Sequence, residues 1–125
     1  MNFANMNFAK LYTWVVGGMF LVVVGGTLII ELVTQGATLE AGHKALHVLI
    51  GVWAVVIIVR KLTPQYRVFA LTNGIWWGAV AVFGWVMPDY HGLAAFNRLD
   101  TILHTLVAAS GLLSAALTDK TLARA

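Results

Sequence analysis

The sequence predicts an all-α integral membrane protein, a bundle of four transmembrane helices that also reads as two repeated helical hairpins. Three observations predict it. The 125-residue chain is 60% hydrophobic and only 10% charged, far from the make-up of an ordinary soluble domain. The few charges divide it into four apolar stretches of about spanning length. The basic residues gather on alternate connections, as they do where a chain crosses a bilayer repeatedly.

The first, third and fourth stretches follow directly from the spacing of charges. Twenty uncharged residues (11–30) separate Lys10 from Glu31, 21 (68–88) separate Arg67 from Asp89, and 18 (101–118) separate Asp100 from Asp119. A helix needs about 20 such residues to cross the hydrocarbon layer. The first run has no small-x-small cleavage site, so it reads as a retained span rather than a signal peptide. The second stretch offers only 15 uncharged residues between Lys44 and Arg60. It reaches across if Lys44, Arg60 and Lys61 extend their ammonium and guanidinium ends to the headgroups. The expected spans are therefore about 11–33, 43–61, 67–88 and 99–118, in a single membrane domain covering 1–125.

The connections carry turn residues: Gly36 and Gly42 in the first, Pro64 as a helix stop in the second, Pro88 and Gly92 in the third. Asn97 reads as the N-cap of the last helix, with Asp100 in its first turn. With the N-terminus inside, Lys10, Arg60, Lys61, Arg67, Lys120 and Arg124 are cytoplasmic and only Lys44 and Arg98 are external. That bias predicts both termini inside. Tyr12, Trp14, Tyr66, Phe69, Trp85 and Tyr90 are expected near the membrane interfaces, while Trp76 and Trp77 lie deeper and read as packing residues.

Glycines mark the helix faces that approach closely. Gly17-Gly18 and Gly25-Gly26 recur on one side of the first helix, Gly51 lies four residues beyond His47, and Gly74 and Gly78 form G-x-x-x-G on the third. Small residues let helices come together in lipid. These serve internal packing, with a dimer interface as the alternative. A shift of 57 residues also superposes Gly17 on Gly74 and Leu46-His47-Val48-Leu49 on Leu103-His104-Thr105-Leu106. Each half is then one hairpin, and both halves have the same orientation.

The four histidines provide the chemistry. His43 and His47 share a face of the second helix, and Asp100 and His104 share a face of the fourth. His91 falls in the outer loop. Ionisable groups in a membrane face the bundle interior, so His47 and His104 are expected at equivalent depth, turned towards each other. The preferred reading is a structural polar cluster of His43, Asn97, Asp100 and His104, in which Asp100 holds His104 and Glu40 ties down a loop. A second makes His47 or His104 an axial ligand to haem or a chlorophyll-type pigment. A third is a metal or proton-relay site built from His43, His47, Asp100 and His104, although no established metal-ligand motif is present.

No catalytic pattern appears: no H-E-x-x-H, no G-x-S-x-G, no phosphate loop and no dinucleotide fingerprint. The absence of cysteine excludes disulfides and thiolate chemistry. Ser110 and Ser114 lie well below His104 and are expected to bond their own helix. An enzyme is not expected. The net charge of +3 and pI near 9.6 come from scattered helix flanks, so nucleic acid is not an expected partner.

At His43-x-x-x-His47-x-x-x-Gly51 and Asn97-x-x-Asp100-x-x-Leu103-His104 the chain resembles a bacterial family of four-helix membrane proteins, known as domain of unknown function 4383. The likeness runs from about Tyr12 to Leu117. It implies the four-span architecture and gives weight to His47, Asn97, Asp100 and His104, but brings no activity with it. The expected role is a small non-enzymatic accessory or structural subunit in a bacterial inner membrane, or its intracytoplasmic or thylakoid equivalent. It would pack against other membrane subunits, as in a respiratory or photosynthetic complex, or against its own copies. The alternatives are a cofactor-binding membrane protein with histidine ligands near the outer face, and a small transporter or proton-linked sensor.

Overall fold

The computed structural model describes residues 6–118. Lys120 and Arg124, which contribute to the expected orientation, lie outside the described residues. Four helices long and apolar enough to cross a membrane make up most of the described residues: α1 (Phe8–Gln35), α2 (Leu39–Val59), α3 (Thr63–Val86) and α4 (Arg98–Leu117). At about 1.5 Å per residue they rise from about 30 to about 42 Å, enough for the hydrocarbon layer. The end of the bundle carrying the α1–α2 and α3–α4 connections is called the distal end below.

Local chemistry sets the helix boundaries. Three starts are capped by side-chain oxygens: Asn7 Oδ1 accepts from the Lys10 amide at 2.9 Å, Thr38 Oγ1 from Ala41 at 3.0 Å, and Asn97 Oδ1 from Asp100 at 2.8 Å. Gly36, at φ 77°, ends α1 in a conformation that only glycine adopts without strain. Thr38 opens α2 at Leu39, four residues before the expected start. The apparent shortage of spanning residues is thus made up at the distal end, where Glu40 and Lys44 are already helical. Pro64 lies in the first turn of α3, so it begins the third helix rather than stopping the second. A proline there gives up an N–H that has no intrahelical partner anyway.

Within each hairpin, glycines bring backbones together. A Cβ on Gly51 would meet Leu21 N at 3.0 Å and Gly17 O at 3.1 Å, and Gly17 itself abuts Ala54. In the second hairpin Gly74 faces Leu112, Gly84 faces Thr101, and Gly111 lies against Ala70 O and the Tyr12 hydroxyl. Gly25 and Gly78 make ordinary contacts with Val48 and Ala108, while Gly18 and Gly26 have nothing within 4 Å. The close-approach glycines are therefore used inside the bundle. The face of α2 made thin by Gly51 is taken by α1 rather than by a ligand.

The 57-residue repeat is visible in three dimensions. Residues made equivalent by the shift touch each other: Tyr12 and Phe69 at 6.1 Å between ring centroids, Phe20 and Trp77 at 5.8 Å, His47 and His104 at 5.8 Å. A residue that meets its own counterpart lies beside the axis relating two copies. Three such pairs, spread along the helices, are the contacts that two similar hairpins packed about a common axis would make. This explains why Tyr12, Tyr66 and Phe69 are buried rather than at an interface: they belong to the seam between hairpins. The Tyr12 hydroxyl donates to Val107 O at 2.8 Å, and the Ala9 amide donates to Thr118 Oγ1 at 2.8 Å. Both bonds tie α1 to α4.

Close backbone approach at Gly51 predicts that Gly51→Val destabilises the protein by about 1–3 kcal/mol through overpacking. Gly18→Ala leaves stability unchanged or raises it by up to ~1 kcal/mol. Reversible unfolding in mixed detergent micelles reads both.

Candidate histidine site and the cleft beside it

Three of the four histidines converge near the distal end. His43, His47 and His104 each offer a ring nitrogen, and these nitrogens all lie within 4.8 Å of one another. The i, i+4 pair on α2 is in direct contact, with Nε2 to Nε2 at 3.0 Å. His104 arrives from α4, one turn below Asp100. His91 stays in the loop, exposed and at positive φ, and takes no part.

The floor under the imidazoles is Trp77 of α3, 1% exposed. Its indole stacks on His47 at 4.3 Å and 5°, and on His104 at 4.9 Å and 15°. Rings on opposite faces of one indole would stand about 7 Å apart, two van der Waals spacings. His47 and His104 are 5.8 Å apart and tilted by only 13°, so both lie side by side on the same face. They do not oppose each other across a gap, as ligands on the two faces of one macrocycle must. Phe20 closes another side with its edge, 4.4 Å from His47. It sits where α1 passes through a π-helical turn, Phe20–Val24, an irregularity that re-aims side chains.

Trp77 is itself fixed. Its Nε1 donates to Asn73 Oδ1 at 2.9 Å, and Asn73 Nδ2 donates to Phe69 O at 2.9 Å. The platform is thus held by hydrogen bonds, while the imidazoles above it are incompletely satisfied among the described residues. His47 and His104 are 6% and 4% exposed, and each has an Nδ1 without a hydrogen-bond partner. A buried polar atom left unpaired costs about 1–3 kcal/mol.

The expected polar cluster is present in part. Asn97 caps α4, and Glu40 Oε1 accepts from the Ala94 amide at 2.6 Å, which pins the α3–α4 connection to α2. Glu31 Oε1 accepts from Thr38 Oγ1 at 2.6 Å, and its other oxygen pairs with Lys44. The Asp100 carboxylate, however, makes no hydrogen bond to His104 among the described residues. It faces a cleft instead.

That cleft has a volume of about 820 Å³ and runs between α1 and α4, from Val15 and Ser110 up to the polar distal end. It exists because the distal half of α1 packs along α2 and leaves α4. Apolar side chains such as Val16, Met19, Val23 and Leu106 line its length. Glu31, Glu40, Lys44 and Asp100 line its upper end, and His43, His47 and His104 stand in its wall. Ser110 donates to Leu106 O at 2.6 Å, bonding its own helix as the sequence predicts.

The repeat gives this cleft a counterpart. A second pocket, of about 260 Å³, is lined by Leu46, Ile50, Trp53, Thr72, Asn73 and Trp76. Shifted by 57 residues, these six positions become Leu103, Val107, Ser110, Val15, Val16 and Met19, all of which line the large cleft. The two are therefore equivalent places in the two halves. One is narrowed by Trp53 and Trp76, and the other is opened by Ser110 and Met19.

Trp77 and Phe20 are the site residues that reading the sequence overlooks. The signal that finds them is the repeat: the shift carrying His47 onto His104 also carries Phe20 onto Trp77. Trp77→Ala should cost about 3–5 kcal/mol, the loss of a fully packed tryptophan, whereas Trp76→Ala, at a side chain that is half exposed, should cost a fraction of that. Unfolding in mixed micelles, with tryptophan emission as the probe, distinguishes the two.

No family model, no curated protein and no solved structure matches the chain, so its own residues carry the functional reading.

Proposed function

We propose that this small integral membrane protein is a non-enzymatic binding protein for one lipid-soluble molecule, held in the cleft between α1 and α4. The observation that carries this reading is the contrast between equivalent positions: about 820 Å³ open on one side of the repeat axis, about 260 Å³ on the other. A bundle that closes one such gap with two tryptophans and leaves its counterpart open has the sequence means to fill both. Packing alone favours filling, since voids forfeit dispersion contacts.

The chemistry of the walls describes the occupant. An apolar body suits the long stretch from Val15 to Val23 on α1 and from Leu103 to Ser110 on α4. A polar head suits the distal end, where carboxylates, an ammonium and imidazoles gather. Ligand sites of this size are mostly apolar with a few placed polar groups. Because the cleft lies between spanning helices, its occupant enters sideways from the bilayer. The outer-leaflet position of the polar end rests on the charge pattern of the connections.

A ligand bound to both His47 and His104 through opposite faces of a macrocycle does not suit this geometry, since the two rings lie edge by edge on Trp77. A haem or chlorophyll-type pigment would have to be held by one of them alone.

Native mass spectrometry of protein extracted in mild detergent and washed free of bulk lipid tests the proposal. The wild type should retain one small molecule per chain. Met19→Trp combined with Ser110→Trp, which copies the closed half into the open one, should lose it while keeping the helical content. Equal retention by this variant contradicts the reading.

A further inference from the structure

The geometry points to a metal site in the wall of this cleft: a divalent transition-metal ion held by His43, His47 and His104. Three neutral imidazoles with nitrogens within 4.8 Å of one another are close to what such an ion requires. With metal–nitrogen distances of about 2.0–2.1 Å, tetrahedral ligands stand about 3.4 Å apart. The His43–His47 contact, at 3.0 Å, is already near that spacing. His104 closes the remainder by a small rotation over Trp77, a sliding motion that stacking permits.

The ring nitrogens of the cluster are only partly hydrogen-bonded among the described residues. A neutral imidazole has one N–H and one lone pair. The contact between His43 and His47 brings Nε2 of each together, so at least one of those two nitrogens presents its lone pair there, while Nδ1 of His47 and Nδ1 of His104 have no partner among the described residues. Both are more than nine-tenths buried. A free imidazole lone pair is the donor that zinc, copper, iron and nickel prefer. No carboxylate enters the cluster, so the oxygen-seeking calcium and magnesium are disfavoured.

Charge supplies an independent argument. Three neutral ligands leave a divalent ion with both of its charges, which an apolar bundle cannot hold alone. The surrounding wall carries Glu31, Glu40 and Asp100 against Lys44, two negative charges in excess and thus equal and opposite to the ion. Asp100, with no ion pair among the described residues, acquires a role: its carboxylate offsets the metal charge from one turn above His104. Three histidines also leave a fourth coordination position open.

The test uses full-length, tag-free protein in detergent, titrated with Zn2+ and separately with Co2+. One Zn2+ should bind per chain. Co2+ should show the intense visible bands of a tetrahedral nitrogen site, displaced by Zn2+ and unaffected by Mg2+ or Ca2+. His43→Ala and His104→Ala should each weaken Zn2+ binding by more than the ~10–100-fold that loss of a mere supporting partner costs. Asp100→Asn should weaken it less and leave the Co2+ bands in place. His43 is the least buried of the three, with its side chain 18% exposed, so its variant disturbs packing less than His104→Ala. Failure of the wild type to bind Zn2+ overturns the inference. So does binding that survives His43→Ala and His104→Ala together, or a Co2+ spectrum no different from the hydrated ion. Retention of the cleft's small molecule is measured on the unsubstituted protein by native mass spectrometry, so that failure of Zn2+ binding and failure of retention are read apart.

Discussion

Imidazoles buried among apolar helices are the constraint from which the rest of the arrangement follows. In a bilayer, a polar side chain finds no water and must be satisfied inside the protein. Most polar groups in this bundle meet that demand locally: Thr13, Thr105 and Ser110 bond to their own helices, and Asn73 bonds both to Phe69 O and to Trp77. His47 and His104 do not, because each keeps a buried ring nitrogen without a partner. The chain nevertheless surrounds them with its most rigid features, an anchored indole below and a phenylalanine edge alongside. A site that is tightly built but incompletely satisfied has the properties expected of one that receives something.

Two hairpins that share a faint 57-residue repeat account for how such a site is built. Two hairpins about a common axis bring equivalent residues into contact, so one histidine per hairpin becomes a pair and one aromatic per hairpin becomes a floor and a wall. The differences between the halves then shape the site. Position 43 is histidine where its counterpart at 100 is aspartate, which supplies a third imidazole on one side and a counter-charge on the other. Positions 53 and 76 are tryptophan where 110 and 19 are serine and methionine, which closes one groove and opens the other. Symmetry places the site on the axis, and its loss makes room beside it.

Charge spacing made three of the four spans legible in the sequence, because lipid penalises charge so heavily that long uncharged runs mark where the chain crosses. The second was blurred by Glu40 and Lys44 inside its helix. The caps at Asn97 and the close packing at Gly17, Gly51 and Gly74 were legible for equally local reasons. Less legible were features that depend on where a helix face points. Glu40 and Gly42 resemble loop residues until Thr38 is seen to cap a helix before them. Pro64 can end one helix or begin the next, and the short Arg60–Leu62 connection decides which. Tyr12, Tyr66 and Phe69 have the composition of an interfacial belt, but the repeat axis draws them into the seam. The convergence of three histidines was partly visible in the 57-residue shift, while the cleft was not, since it comes from α1 leaving α4 over its distal half.

The central claim is that His43, His47 and His104 meet in one place inside a lipid-embedded bundle. Magic-angle-spinning NMR on protein with isotope-labelled imidazoles, reconstituted in bilayers, tests it most directly. Through-space cross-peaks linking the His47 ring to both the His43 and His104 rings, with His91 isolated from all three, are the outcome this structure requires. Three imidazoles that each correlate only with acyl chains or water, and never with one another, would contradict it.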